Sequence, residues 1–146
     1  IRESVVANLI GEDVIAVHTA AGTLDEWITQ AAYERLVEGP HAEFSGTLAR
    51  LLEVKRRNGE FFAADAADRL AASPRAGRLA RRRLSRAAWP LGSADEPPAL
   101  LARLMGGVIP ASDLMAIDDR VDILPGLAGL DLATTAARRA RKAAGQ

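Results

Sequence analysis

Residues 65–86 read DAADRLAASPRAGRLARRRLSR. Alanine and leucine recur at helical spacing on both sides of the tripeptide Ala72-Ser73-Pro74, which interrupts the pattern. Proline is favourable in the first turn of a helix, and the serine before it is a preferred N-cap residue. The stretch therefore predicts two helices that meet at Ser73, and the second is expected to run to about Ala88 and to stop before Pro90.

The second of these helices is predicted to have two different faces. At 100° per residue, an arc of about 100° holds four arginines and one serine, namely Arg75, Arg78, Arg82, Ser85 and Arg86. Small apolar residues occupy the opposite side, namely Ala76, Ala80, Leu84 and Ala87. Like charges three or four residues apart repel by a few tenths of a kcal/mol per pair. Helical stability alone does not favour such a row. The row is either a solvated face, or a surface that binds acidic residues of this chain or of a second copy, or a surface that binds an anionic ligand.

Residues 62–86 resemble the helix-turn-helix of bacterial transcription regulators. In that family an alanine lies inside the first helix, a leucine follows three residues later, a small residue makes the turn, and a serine begins the recognition helix. The matching positions here are Ala67, Leu70, Ala71 and Ser73. The alanine lets two helices approach closely, and the leucine fills the angle between them. Gly77 lies where the family usually has a branched apolar residue, so Leu79 is expected to anchor the recognition helix.

This resemblance implies a DNA-binding site on the second helix. The residues that it assigns to nucleic-acid binding are Ser73, Arg75, Arg78, Arg81, Arg82 and Arg86. Arg75 and Arg78 are expected to reach base edges or phosphates in a major groove, and the other arginines to contact the phosphate backbone. Regulators of this kind usually dimerise, which implies a homodimer, and the leucine-rich segment Leu100–Ile117 is the expected partner surface.

Upstream, the sequence predicts one short strand and two helices. The β-branched run Val14–Val17 is the strand candidate. Thr23 and Glu26 have the spacing of a capping box, which predicts a helix from there to about Glu38. Spaced apolar residues predict a further helix over residues 42–57, which Asn58-Gly59 would close.

Downstream, Ser112 is expected to cap a short helix, and residues 118–129 are expected to form a loop. Asp118, Asp119 and Asp122 lack the spacing of a calcium-binding loop, so a solvated acidic loop is expected there rather than a metal site. The fold class is therefore mainly α, with at most a short β element near the N-terminus. Residues 1–130 are expected to form a single helical domain with a helix-turn-helix-like segment at 61–88, and residues 131–146 a basic C-terminal helix or tail.

Composition excludes several chemistries. The chain has 146 residues, no cysteine and two histidines, which excludes disulfides and thiolate metal sites and leaves little for imidazole chemistry. No catalytic residue, metal ligand or cofactor site is predicted. No secretory leader or membrane span is visible, so a cytoplasmic location is expected.

Charge separates the chain into segments. Residues 1–60 have 6 basic and 10 acidic side chains, whereas residues 61–90 have 7 basic and 2 acidic ones. DNA binding through the arginine-rich helix is therefore the first hypothesis. A helical protein-interaction module, whose arginines pair with acidic surfaces of this chain or of a partner, is the second. An enzyme on a helical scaffold is the third, and it would need a pocket that joins acidic residues.

Overall fold

The computed structural model describes residues 11–39, 45–86 and 110–132, together with positions 134, 135 and 138. These residues form four helices, which are α1 (Glu12–Val37), α2 (Ser45–Ala72), α3 (Pro74–Arg86) and α4 (Ala111–Asp122). No strand occurs in this described part, so the prediction of a mainly helical fold is confirmed. α2, α3 and α4 all pack against α1.

The strand prediction at Val14–Val17 is wrong, because these residues lie in the first turns of α1. The buried positions of α1 recur every three or four residues, and they are Ala16, Ala20, Thr23, Leu24, Trp27, Ile28 and Ala31. A strand would instead bury alternate residues. Val14 is 41 % exposed and Ala16 only 1 %, as expected for two residues that lie 160° apart on a helix, whereas in a strand they would share a face. Packing along 26 residues outweighs the β preference of four.

The capping box at Thr23 and Glu26 is also wrong, because both residues lie in the middle of α1. The fully buried Thr23 hydroxyl donates to the carbonyl oxygen of Thr19 at 2.8 Å, which satisfies it inside the helix. Glu26 accepts a hydrogen bond of 3.0 Å from Lys55 Nζ on α2. Both side chains therefore make their contacts from within one continuous helix. This helix begins at Glu12 and ends at Val37, close to the predicted end at Glu38.

Asn58 and Gly59 do not close a helix, because α2 continues through them to Ala72. Gly59 faces α1, and a Cβ atom placed on it would lie 3.4 Å from Cδ1 of Trp27. The glycine thus lets the large indole ring pack against the backbone of α2. Glycine inside a helix costs about 1 kcal/mol relative to alanine, and the packing of Trp27 offsets that cost.

α1 and α2 form an antiparallel hairpin. Glu12 at the start of α1 pairs with Arg69 near the end of α2, at 2.7 Å. Glu34 near the end of α1 pairs with Arg56 in the first half of α2, at 3.0 Å. The hairpin buries Ala66 and Leu70 of α2 in the same apolar cluster as the α1 residues.

The predicted break between two helices at Ser73 is confirmed. α2 ends at Ala72 and α3 begins at Pro74. Ser73 Oγ accepts a hydrogen bond of 3.1 Å from the backbone N–H of Ala76, as an N-cap serine does. The predicted apolar face of α3 is buried at Ala76, Ala80 and Leu84, whereas Ala87 lies outside the described residues. α3 packs on α1 more extensively than on α2.

α4 is longer than predicted. It begins after Pro110 without a side-chain cap, so the cap expected at Ser112 is wrong, and it continues to Asp122 into the predicted loop. Leu114 and Ile117 are 4 % and 3 % exposed in the core. Leu114 and Ile117 of the expected partner surface Leu100–Ile117 are therefore not free for a partner, whereas Met115 is 62 % exposed and residues 100–109 lie outside the described ones. Of the predicted C-terminal helix or tail at 131–146, only isolated positions are described.

Candidate nucleic-acid interface

α3 contains six arginines and no acidic residue, and the arginines are Arg75, Arg78, Arg81, Arg82, Arg83 and Arg86. Its short apolar face of Ala76, Ala80 and Leu84 is at most 5 % exposed. These small side chains let α3 lie close to the body of the molecule. The arginines up to Arg83 are exposed, so the helix presents its charge outward.

The start of α3 is occupied by a carboxylate of the chain itself. Ser73 Oγ donates to Asp13 Oδ1 at 2.8 Å, and Arg75 Nε lies 3.3 Å from Asp13 Oδ2. A helix N-terminus beside an arginine attracts an anion, and Asp13 takes the place where a phosphate was expected. Two of the predicted nucleic-acid-binding residues are thus tied to α1, although the Arg75 side chain remains 76 % exposed.

Arg81 holds the turn that follows α4. One of its terminal nitrogens donates to the carbonyl oxygen of Ala128 at 2.7 Å. The same turn crosses α3 at Gly77, where a Cβ atom on Gly126 would lie 3.2 Å from the glycine Cα. Leu79 is 36 % exposed. The expectation that Leu79 anchors α3 is therefore wrong, because the backbone of the turn fills the space over Gly77.

Arg78, Arg82 and Arg83 form the free part of the arginine face. All three are exposed, and no carboxylate of the described residues pairs with any of them. The sequence prediction did not include Arg83, which lies about 80° from Arg75 on the helical wheel, on the side away from Arg78 and Arg82. Ala76, Ala80 and Leu84 form only a narrow buried face. The sequence could therefore have predicted that Arg83 is exposed as well. The side chain of Arg86 lies outside the described residues.

A groove of about 380 Å³ lies between α1, α2 and α4, at the far end of α1 from the start of α3. Trp27 lines it, and the guanidinium carbon of Arg120 lies 4.1 Å from the centre of the indole ring. The other two arginines of the groove are paired. Arg35 binds Asp113 through two bonds of 2.7 and 2.8 Å, which lowers the pKa of that carboxyl.

The carboxylates of this groove do not support the enzyme hypothesis. Glu34 pairs with Arg56, and Asp113 and Glu38 both pair with Arg35. A general base or a nucleophile needs a carboxylate that is free to reach a substrate, and these three are held by guanidinium groups.

Asp25 is a carboxylate in the opposite situation. Burial and the neighbouring Glu26 raise its pKa to about 6, and Lys55 lowers it only in part. Its Oδ1 atom is buried without a hydrogen-bond partner in the described structure. Asp25 is not among the residues that line the groove, so its position costs stability without placing it in that groove.

The acidic residues at the end of α4 have structural roles. Asp118 is only 6 % exposed and accepts a hydrogen bond from the backbone N–H of Thr134 at 3.0 Å, so the expectation of a solvated loop is wrong there. Asp122 accepts from the backbone N–H of Gly129 at 2.8 Å. In the part of the chain that the structure covers, no three metal-binding side chains converge. No helix described here combines the length and apolarity that crossing a membrane requires.

Comparison with family models, with curated proteins and with solved structures finds no match to this chain. Function is therefore inferred from the geometry and the charge of α3.

Proposed function

We propose that this protein binds duplex DNA through the outward face of α3. The observation that carries the proposal is that Arg78, Arg82 and Arg83 lie exposed together with no carboxylate partner among the described residues. Guanidinium groups match phosphate oxygens in a two-bond geometry. The helix-turn-helix resemblance, with its turn at Ser73, favours duplex DNA over other polyanions.

The contacts of this interface are mainly to phosphates. Ser73 and the inner side of Arg75 are engaged by Asp13, so the first turn of α3 is not free to read bases directly. The 13 residues of α3 extend roughly 20 Å, enough to follow one strand across a groove. Contacts to the backbone position a protein on DNA without reading its sequence, so modest sequence selectivity is expected.

A salt titration tests the proposal. Fluorescence anisotropy with a labelled duplex of about 20 base pairs should give an affinity that falls steeply with salt. Neutralising about four to six phosphates implies a log-log slope of roughly −4 to −5. Absence of duplex binding at about 50 mM salt would rule the proposal out, because electrostatic binding is strongest at low salt.

Two double variants distinguish DNA binding through α3 from a general effect of positive charge. Arg78→Gln/Arg82→Gln should lower the affinity about 10- to 100-fold at low salt and reduce the slope by about two. Arg56→Gln/Arg57→Gln removes the same charge from α2, where both arginines pair with glutamates of this chain. This control should change the affinity less than about threefold. Equal losses in both variants would contradict a site on α3.

A specific contact favours a second candidate, an acidic protein surface as the partner of α3. Arg75 already binds the carboxylate of Asp13, and arginine pairs with carboxylates as readily as with phosphates. In that case Arg78→Glu/Arg82→Glu should abolish an assembly visible by light scattering and leave DNA affinity unchanged. Loss of DNA binding with an unchanged mass favours the first candidate instead.

A further inference from the structure

The outer side of α2 carries a row of exposed apolar side chains. Leu51, Val54 and Phe61 are 44 %, 53 % and 69 % exposed. With the exposed Thr47 and Asn58 they follow each other at spacings of 4, 3, 4 and 3 residues. At 100° per residue these positions fall within an arc of about 80°. Such spacing is typical of the contact line of a coiled coil.

This row is separate from the face that α2 uses in its own fold. The buried residues of α2 are Leu52, Gly59, Ala66 and Leu70, and Ala66 and Leu70 pack in the cluster that α1 shares. Single exposed apolar residues are normal, whereas a continuous row along a helix indicates an interaction surface. The row is therefore available to an occupant other than α1.

The charges beside the row indicate which occupant fits. Four exposed residues on one flank alternate in sign along α2, in the order Arg50, Glu53, Arg57 and Glu60. Read in the opposite direction, from Glu60 to Arg50, each position in the order has the opposite charge. An antiparallel copy of α2 therefore places arginine opposite glutamate at both ends of this set.

The apolar residues favour the same arrangement. When Arg50 of one α2 lies near Glu60 of a second copy, Leu51 lies near Phe61 of that copy, because both pairs have almost the same midpoint on the helix. Val54 then lies near Asn58, a polar residue that fixes register at some cost in stability. Charge and apolar packing thus agree on one alignment.

We infer that α2 of one molecule binds α2 of a second copy in antiparallel orientation through Leu51, Val54 and Phe61. This surface differs from the segment at 100–117 that the sequence suggested. The contact is short, so a dissociation constant on the order of 10 μM is expected. The inference is independent of DNA binding, since it uses no residue of α3.

Sedimentation equilibrium of the whole chain, from below to above the expected dissociation constant, tests this surface. The wild type should pass from monomer to dimer, and Phe61→Glu should weaken the dimer at least 30-fold. Met115→Glu is the matched control, because Met115 is 62 % exposed on α4, and it should change association less than threefold. Circular dichroism confirms that each variant is folded.

A charge exchange tests the orientation. Arg50→Glu and Glu60→Arg should each weaken the dimer about 5- to 20-fold at low salt, because each places like charges across the contact. The double variant should return to within about threefold of the wild type. Single variants that leave association unchanged would overturn the antiparallel arrangement.

Two further outcomes identify other occupants. A wild type that stays monomeric throughout overturns the inference, and a marked loss of thermal stability in Phe61→Glu would then point to a contact within the same chain. A dimer that Phe61→Glu leaves intact also overturns it and moves the contact to another surface.

Discussion

The arginines at the two ends of α1 differ in their partners. At the C-terminal end, Arg35 binds Asp113 through two bonds, and Arg120 lies on Trp27 in the groove. Beyond the N-terminal end, on α3, Arg78 and Arg82 are exposed without a carboxylate partner in the described residues. The first group holds helices together, and the second is free to bind something else.

This difference teaches that arginine content alone does not indicate an interface. A guanidinium group joined to a carboxylate or an indole ring contributes to the fold, and its charge is already compensated. A row of guanidinium groups without such partners costs repulsion and has no compensating contact in the described structure. Arg75 and Arg81 lie between these extremes, since Arg75 pairs with Asp13 and Arg81 donates to backbone carbonyl oxygens of the turn after α4.

The largest effect is expected from Trp27→Ala, which removes the ring under Arg120. Trp27 is 4 % exposed between α1, α2 and α4, so the variant should lose about 3–5 kcal/mol of unfolding free energy in a urea titration. Phe61→Ala is the aromatic control and should lose less than about 1 kcal/mol at monomeric concentration, because Phe61 is 69 % exposed. Similar losses of unfolding free energy in Trp27→Ala and Phe61→Ala would contradict the conclusion that Trp27 is part of the core.

The next largest effect is expected where the turn after α4 contacts α3. Gly126→Ala should lower the unfolding free energy by about 2 kcal/mol, since Gly126 has φ of 80° and its new Cβ would lie 3.2 Å from Gly77 Cα. Gly77→Ala is the control, because its Cβ would lie 3.5 Å from the nearest atom, an ordinary contact. It should be neutral or stabilise by up to about 1 kcal/mol. A harmless Gly126→Ala would show that the turn does not hold α3.

Asp25, a carboxylate whose charged form is destabilised by burial, provides the converse test. The pKa of Asp25 is raised to about 6 in the folded protein, above its unfolded value of 3.8, so its ionisation destabilises the fold as pH rises from about 4 to 6. Asp25→Asn should therefore be about 1 kcal/mol more stable than wild type at pH 7, allowing for partial exposure, and about equal at pH 4. Thermal unfolding at both values measures this difference.

Asp113→Asn is the control of opposite sign. The pKa of Asp113 is lowered by Arg35, so the ion pair stabilises the fold above the unfolded pKa and loses that contribution as pH falls. This variant should be less stable than wild type at pH 7 and closer to it in acid. If Asp25→Asn and Asp113→Asn changed the stability in the same direction at pH 7, the different surroundings of the two carboxylates would not determine their contributions to stability.

The smallest effect is expected when one arginine of the groove and one arginine of α3 are each replaced by alanine. Arg120→Ala should lose about 1 kcal/mol of unfolding free energy, because it removes a cation from the face of Trp27. Arg82→Ala should change the unfolding free energy by less than about 0.5 kcal/mol and should weaken DNA binding. Urea titration and fluorescence anisotropy on the same two variants would show whether stability and binding separate.

Local signals predicted part of this molecule correctly. The break at Ser73 and the two-faced α3 follow from residues within one or two turns of each other, so the sequence contains their cause. The start of α1 and the continuity of α2 could not be predicted in this way. The run Val14–Val17 and Gly59 become helical through packing against residues that are distant in the chain, such as Trp27 against Gly59.

The sequence by itself determined the mainly helical class, the position of the break before Pro74 and the concentration of positive charge on α3. Only the tertiary structure decided which arginines are free, because Asp13 and Ala128, which engage Arg75 and Arg81, lie more than 40 residues away along the chain. Helical spacing places side chains on one helix, whereas their partners depend on how separate helices pack.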